Sequence, residues 1–129
     1  GNDADRSSAT GLKDGWQKVS FLDDAKELFK VNKTERVWQH HFDEVIKLPE
    51  GSIILASNPH TKIQAYLNYD QHLLGTQFHP EFDLTSGNKY FLKDRDFIEQ
   101  NSFCVDEMLK NGPTFETGKI FFDFFLTRI

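Results

Sequence analysis

Ile63-Gln64-Ala65-Tyr66-Leu67-Asn68-Tyr69, a turn at Asp70-Gln71, then His72-Leu73-Leu74-Gly75-Thr76-Gln77-Phe78-His79-Pro80-Glu81-Phe82 is the stretch around which this chain is organised. The alternation on either side of the turn predicts a β-hairpin. In extended backbone, residues two apart point the same way. The hairpin is therefore expected to deliver the His79 imidazole and the Glu81 carboxylate, side by side, to the end of its second strand. Pro80 between them fixes φ and removes a backbone donor, which stiffens the arrangement. A carboxylate beside an imidazole holds one tautomer and stabilises the imidazolium. That is the base-and-orienter half of a nucleophilic triad.

Working outward, Ser52–Ser57 is a short apolar run of buried-strand type between turns at Leu48-Pro49-Glu50-Gly51 and Asn58-Pro59-His60-Thr61. His60 on that second turn is expected to be exposed and inert. Glu35–Ile46 predicts a strand and its exit, with Val37 and Gln39 alternating against Trp38 and His40. His40, His41 and Asp43 are types that bind zinc, but adjacent histidines on a strand face opposite ways and would not share an ion. No metal or cofactor is expected. Gly15–Leu22 alternates as a strand, and Asp23-Asp24 offers an N-cap for a short helix over Ala25–Lys30. Trp16 is expected in a core or an interface. Residues 1–14, rich in Ser, Asp, Asn and Gly, are expected to be a flexible segment ahead of a folded unit over 15–129.

Beyond Glu81 the pattern turns helical. Asp94–Lys110 predicts a helix with Phe97, Cys104, Val105 and Met108 near one face, stopped at Asn111-Gly112-Pro113. Cys104 is expected to be a small core residue. Asn88–Asp94 is expected to cap the site. Thr117–Ile129 predicts a terminal helix whose Ile120, Phe121, Phe124, Phe125 and Ile129 make a wide apolar face. It is short and carries Asp123, so core packing is expected rather than membrane attachment.

Composition narrows the function classes. The 129 residues fit one domain, and 38% hydrophobic residues with 13 Phe are enough for a core. A formal charge of −5 argues against a nucleic-acid backbone as partner. No apolar run approaches a membrane span. A single cysteine excludes an intrachain disulfide framework and agrees with a cytoplasmic setting.

Gly75-x-Gln77-Phe78-His79-Pro80-Glu81 resembles the closing motif of class I glutamine amidotransferases. His41-x-Asp43-x-Val45-x-x-Leu48-Pro49 is similar to a segment that precedes it in the GMP synthase branch, where Gly often stands at the position of Phe42. The resemblance runs from about Trp16 to Phe82 and resumes in the last helix. It implies an α/β fold: the C-terminal portion of a class I amidotransferase, flavodoxin-like domain, with a strand-rich middle and flanking and C-terminal helices. It also implies that His79 and Glu81 complete a Cys-His-Glu triad, and that the backbone of Gln39, His40 and His41 borders the glutamine pocket. A structural His41–Asp43 pair remains the other reading.

The family's nucleophile lies upstream in a Gly-x-Cys-x-Gly elbow, whereas the one cysteine here, Cys104, follows the His and Glu. Either this is the C-terminal part of a longer amidotransferase that passes ammonia to a synthase partner, or it descends from one and has lost the reaction. In the second case it is a binding or regulatory module. Hydrolysis of other γ-glutamyl compounds by the same triad is a third option. These 129 residues alone are expected to be inactive on glutamine, and a chain lacking its N-terminal half is expected to self-associate through a bare sheet edge.

Overall fold

A computed structural model describes residues 5–7 and 12–129 of the chain. Among the described residues, seven strands and five helices follow one another in order. They are β1 (Asp5–Ser7), β2 (Lys13–Phe21), α1 (Asp23–Phe29), β3 (Thr34–His41), β4 (Glu44–Lys47), β5 (Ile53–Ser57), β6 (Ala65–Asn68), β7 (Leu73–Thr76), α2 (Leu84–Lys93), α3 (Arg95–Gln100), α4 (Val105–Met108) and α5 (Thr117–Arg128). The fold is mixed α/β. A five-stranded sheet runs β3-β2-β5-β6-β7, and β1 pairs with β4 in a second, two-stranded sheet. Every pair is antiparallel.

The alternation seen in the sequence sorts side chains onto the two faces. Val19, Phe21, Val37, Leu55, Ala65, Leu67 and Phe78 bury one face against Phe29 of α1 and Phe121 and Phe124 of α5. Phe29 stacks on Phe121 at 4.7 Å between centroids, and Phe78 meets Phe121 edge-on at 5.3 Å. Trp16 and Trp38 leave the sheet in the other direction and pack with Phe91, Ile98, Val105 and Met108 of α2, α3 and α4. A third cluster, Val45, Ile63 and Tyr66, fills the β4 end.

Several elements depart from the expectations. Of segment 1–14, residues 1–4 and 8–11 lie outside the described residues, Asp5–Ser7 is β1, and Lys13 and Asp14 already belong to β2. The N-cap of α1 is Leu22, with no side-chain cap bond, and Asp23 and Asp24 occupy the first turn, where carboxylates still favour the helix dipole. The single helix expected over 94–110 is two, because Asn101–Cys104 breaks it and Ser102 adopts φ 71°. The break turns Cys104 outward, so it is exposed rather than a core residue, as is Phe97. Helix α2 has no counterpart in the sequence reading, although Asp83 and Ser86 form a reciprocal capping box at its start. On α5 the buried residues are Thr117, Phe121 and Phe124, while Phe125 lies 41% exposed.

Candidate active site

The residues at the end of β7 and just beyond it each have a separate task. Gly75 lies flat under the Tyr66 ring, and any Cβ there would run into Tyr66 Cε1. Gln77 ties three segments together: its N–H donates to Gln64 O at 2.8 Å and its Oε1 accepts from Val45 N–H at 3.1 Å. Phe78 is 1% exposed, driven into the core beneath α5. With Phe78 pulled inward, His79 faces outward, and its N–H donates to Trp38 O of β3 at 2.9 Å.

His79 Nδ1 lies 3.0 Å from Glu81 Oε2, so the expected pair forms. The route to it differs from an extended strand. β7 ends at Thr76, and Phe82 N–H donates to His79 O at 3.4 Å across a tight turn. Pro80, with φ preset, suits the second position of such a turn. The pair is 41% and 51% exposed, and among the described residues none bonds His79 Nε2. The acceptor at Nδ1 fixes the tautomer and leaves Nε2 open to a reacting group.

Behind His79 stands an aromatic stack. Trp38 lies between Phe82 at 4.0 Å and Phe91 at 5.1 Å, both close to parallel. The His79 ring meets Trp38 edge-on at 5.3 Å. Trp38 Nε1 donates to Gly87 O of α2 at 3.1 Å, and Trp16 Nε1 to Asn88 Oδ1 at 2.8 Å. Helix α2 therefore backs the site from behind Trp38.

The side chains of the other three expected site residues, Gln39, His40 and His41, do not join the His79–Glu81 contact. His40 faces the α2 side, with Nδ1 3.1 Å from Asp14 Oδ2 and Nε2 3.8 Å from Asp94 Oδ2. Asp14 is wholly buried, and its other oxygen accepts Gly15 N–H at 2.9 Å. The Asp14 hydrogen bond raises the His40 pKa, and the charges of Asp14 and Asp94 add to it against the opposing effect of burial. Asp94 joins α2 to α3, so His40 pins that corner onto β3. The Tyr90 ring lies against His40 at 5.2 Å, and burial raises the Tyr90 pKa.

Gln39 and His41 face the opposite way. Gln39 is fully buried, its side chain meeting Gln64 at 2.8 Å and His41 Nε2 at 2.8 Å. His41 Nδ1 contacts Asp43 O at 2.7 Å, so the partner within the His41–Asp43 pair is the backbone carbonyl. Burial is the largest cause lowering the His41 pKa. Asp14, Trp38 and Gln64 were not singled out as site residues in the sequence, and Asp94 was expected there only as the end of a capping segment. Only Trp38 carried a local signal, its place in the β3 alternation. Among the described residues, no group of three or more His, Cys, Asp or Glu side chains is placed to hold a metal ion. No helix among the described residues is long and apolar enough to cross a membrane.

Similarity to known proteins assigns the chain to one family. A family model described as glutamine amidotransferase class-I matches residues 8–99, and the chain belongs to that family. It is 37% identical over 93 residues to a glutamine-hydrolyzing GMP synthase subunit of Sulfurisphaera tokodaii, covering 72% of this chain and 48% of that protein. It is also 37% identical over 92 residues to the glutamine-hydrolyzing GMP synthase of Macrococcus caseolyticus, covering 70% of this chain and 18% of that one. The chain thus spans about half the length of the Sulfurisphaera relative and less of the longer Macrococcus one. Among solved structures, a glutamine amidotransferase from Thermotoga maritima superposes with TM-score 0.70 at 21% identity, covering 84% of this chain and 46% of that one. A second glutamine amidotransferase, from Methylobacillus flagellatus, superposes with TM-score 0.61 at 17% identity, covering 72% and 37%. These likenesses place the fold among flavodoxin-like amidotransferases.

Proposed function

We propose that this chain supplies the His–Glu part of a glutamine amidotransferase whose nucleophilic cysteine lies outside these 129 residues. The observation that carries the reading is the Nδ1–Oε2 contact of 3.0 Å with Nε2 left open. In this scheme the cysteine thiol gives its proton to His79 Nε2 and the sulfur attacks the glutamine side-chain amide. The imidazolium returns the proton to the leaving ammonia, which leaves a γ-glutamyl thioester. Water then attacks the thioester with His79 again as base, releasing glutamate and the thiol. Glu81 accepts from Nδ1–H throughout and stabilises the positive ring. The backbone of Gln39, His40 and His41 borders the glutamine. Ammonia passes to a synthase domain or subunit, as the GMP synthase relatives suggest, in a cytoplasmic setting.

A second reading is favoured by one fact: no cysteine precedes His79, and Cys104 sits at an exposed corner with no strand before it. On that reading the chain is a non-catalytic binding or regulatory module. Hydrolysis of other γ-glutamyl compounds belongs to the first reading and differs only in substrate. Intact mass and N-terminal sequence of the protein as made in its own cell come first, followed by glutamine turnover of that whole protein and its His79→Ala variant. Turnover that disappears in the variant supports the amidotransferase. A whole protein without turnover refutes it in favour of a binding role. The 129 residues alone are expected to release no ammonia above their own His79→Ala control.

A further inference from the structure

Gln64, Gln39 and His41 form a buried polar chain from the entrance of β6 to the end of β3. The two amides meet at 2.8 Å, Gln39 and His41 Nε2 meet at 2.8 Å, and His41 Nδ1 lies 2.7 Å from Asp43 O. Gln39 is 0% and Gln64 1% exposed, so water does not relieve the contact between the two amides, while the His41 end of the chain is partly open. A carbonyl oxygen only accepts, so His41 Nδ1 carries a proton. If Gln39 turns Oε1 toward Nε2, that nitrogen must carry one too and the ring is an imidazolium. The surroundings oppose that charge. Burial does so most, followed by Lys13 of β2 and by His79, while Asp43 O and Glu44 of β4 act the other way, and the net effect lowers the His41 pKa from its ordinary 6.5. Exchanging nitrogen and oxygen in both amides moves no heavy atom and satisfies a neutral ring. Gln64 then donates to Gln39 Oε1, Gln39 donates to His41 Nε2, and His41 Nδ1–H donates to Asp43 O.

We propose that Gln64 is a positioning residue: through Gln39 it locks His41 as the Nδ1–H tautomer with its Nε2 lone pair engaged, fixing the β3–β4 corner. Both ring nitrogens of His41 are thereby spent, and His41 takes no part in proton transfer. It also adds no second positive ring within electrostatic reach of His79. The division of labour between the two imidazoles rests on the amidotransferase reading. The amide chain itself stands whether or not His79 turns over glutamine.

The test is imidazole nitrogen NMR of the labelled chain, with His41 assigned through His41→Gln. At neutral pH the wild type is expected to show protonated Nδ1 and bare Nε2 at His41, with side-chain amide protons of Gln39 and Gln64 slow to exchange. Gln64→Leu removes the first donor and frees Gln39 to turn its oxygen to the ring, so His41 titrates at higher pH. Gln64→Glu, ionised, only accepts and drives the same reversal. An Nε2–H tautomer or a doubly protonated ring in the wild type at neutral pH overturns the proposal. So does an unchanged His41 titration in the folded variants. If neither variant folds, the wild-type tautomer and amide exchange decide it.

Discussion

Gly87→Ala tests the link between α2 and the site. In an ordinary helix interior this change stabilises by about 1 kcal/mol, since Gly is the poorer helix former. Here the opposite is expected. An added Cβ would sit 2.6 Å from Trp38 Cδ1, 2.7 Å from Trp16 Cζ2 and 2.9 Å from Trp16 Cη2. Carbon atoms prefer about 3.5–4.0 Å. Neither indole has room to retreat. Trp38 is held between Phe82 and Phe91, and each ring nitrogen is bonded to the α2 segment itself. Overpacking of this kind costs about 1–3 kcal/mol, and a strained indole hydrogen bond adds about 1 kcal/mol. After the helix gain, a net loss of about 1–3 kcal/mol remains. At about 2.1 cal/mol/K of unfolding entropy per residue over 129 residues, 1 kcal/mol moves Tm by roughly 4 °C. Thermal and urea unfolding of the wild type, Gly87→Ala and the exposed control Lys89→Ala should give a Tm drop of roughly 4–11 °C for Gly87→Ala alone. A Gly87→Ala chain as stable as the wild type would mean that α2 does not press on the two indoles, and the backing of His79 would have to be sought elsewhere.

Three further outcomes are expected. His40 has its folded-state pKa raised above 6.5 by Asp14, so its stabilising contribution is full below 6.5 and is lost as pH rises through that higher value. The urea stability gap between the wild type and His40→Asn should therefore be wide at about pH 5 and narrow at about pH 9, and a gap that widens with pH would contradict the Asp14–His40–Asp94 clamp. Phe78→Ala should cost about 3–5 kcal/mol in chemical denaturation, because the ring is buried beneath α5, and a loss under about 1 kcal/mol would deny Phe78 its anchoring task. Light scattering of the purified 129 residues at tens of micromolar should report self-association, since β7 edges the sheet beside exposed Phe122 and Phe125, whereas a clean monomer speaks against a missing half.

What the sequence made legible follows from how local each signal is. Strand alternation is a two-residue pattern, so β2, β3, β5 and the β6–β7 hairpin were found within a few residues of their ends. The Phe spacing of α5 declared an apolar face in the same way. Helix α2 carried a weaker signal: Thr85-Ser86-Gly87 in its first turn are weak helix formers, and its buried residues are only Gly87, under the two indoles, and Phe91. The break at Ser102 was hidden because Phe97, Val105 and Met108 keep helical spacing straight through it. The His79–Glu81 contact was legible from a separation of two, although a turn rather than a strand produces it. The Asp14–His40–Asp94 clamp and the Gln64–Gln39–His41 chain were not, because their members meet only when β2, β3, β6 and α2 are brought together.

The outward corner between α3 and α4 offers a practical handle. Cys104 is the sole thiol of the chain and is exposed, yet the next residue, Val105, is buried in the cluster that holds Trp16 and Trp38. A maleimide dye placed there is attached to the edge of the aromatic cluster without entering it. Tryptophan emission quenched by that dye would follow opening and closing of the α2–α4 side separately from the α1–α5 side, which holds no tryptophan. One label on the unmodified sequence would thus show whether the two faces of the sheet come apart together or in turn.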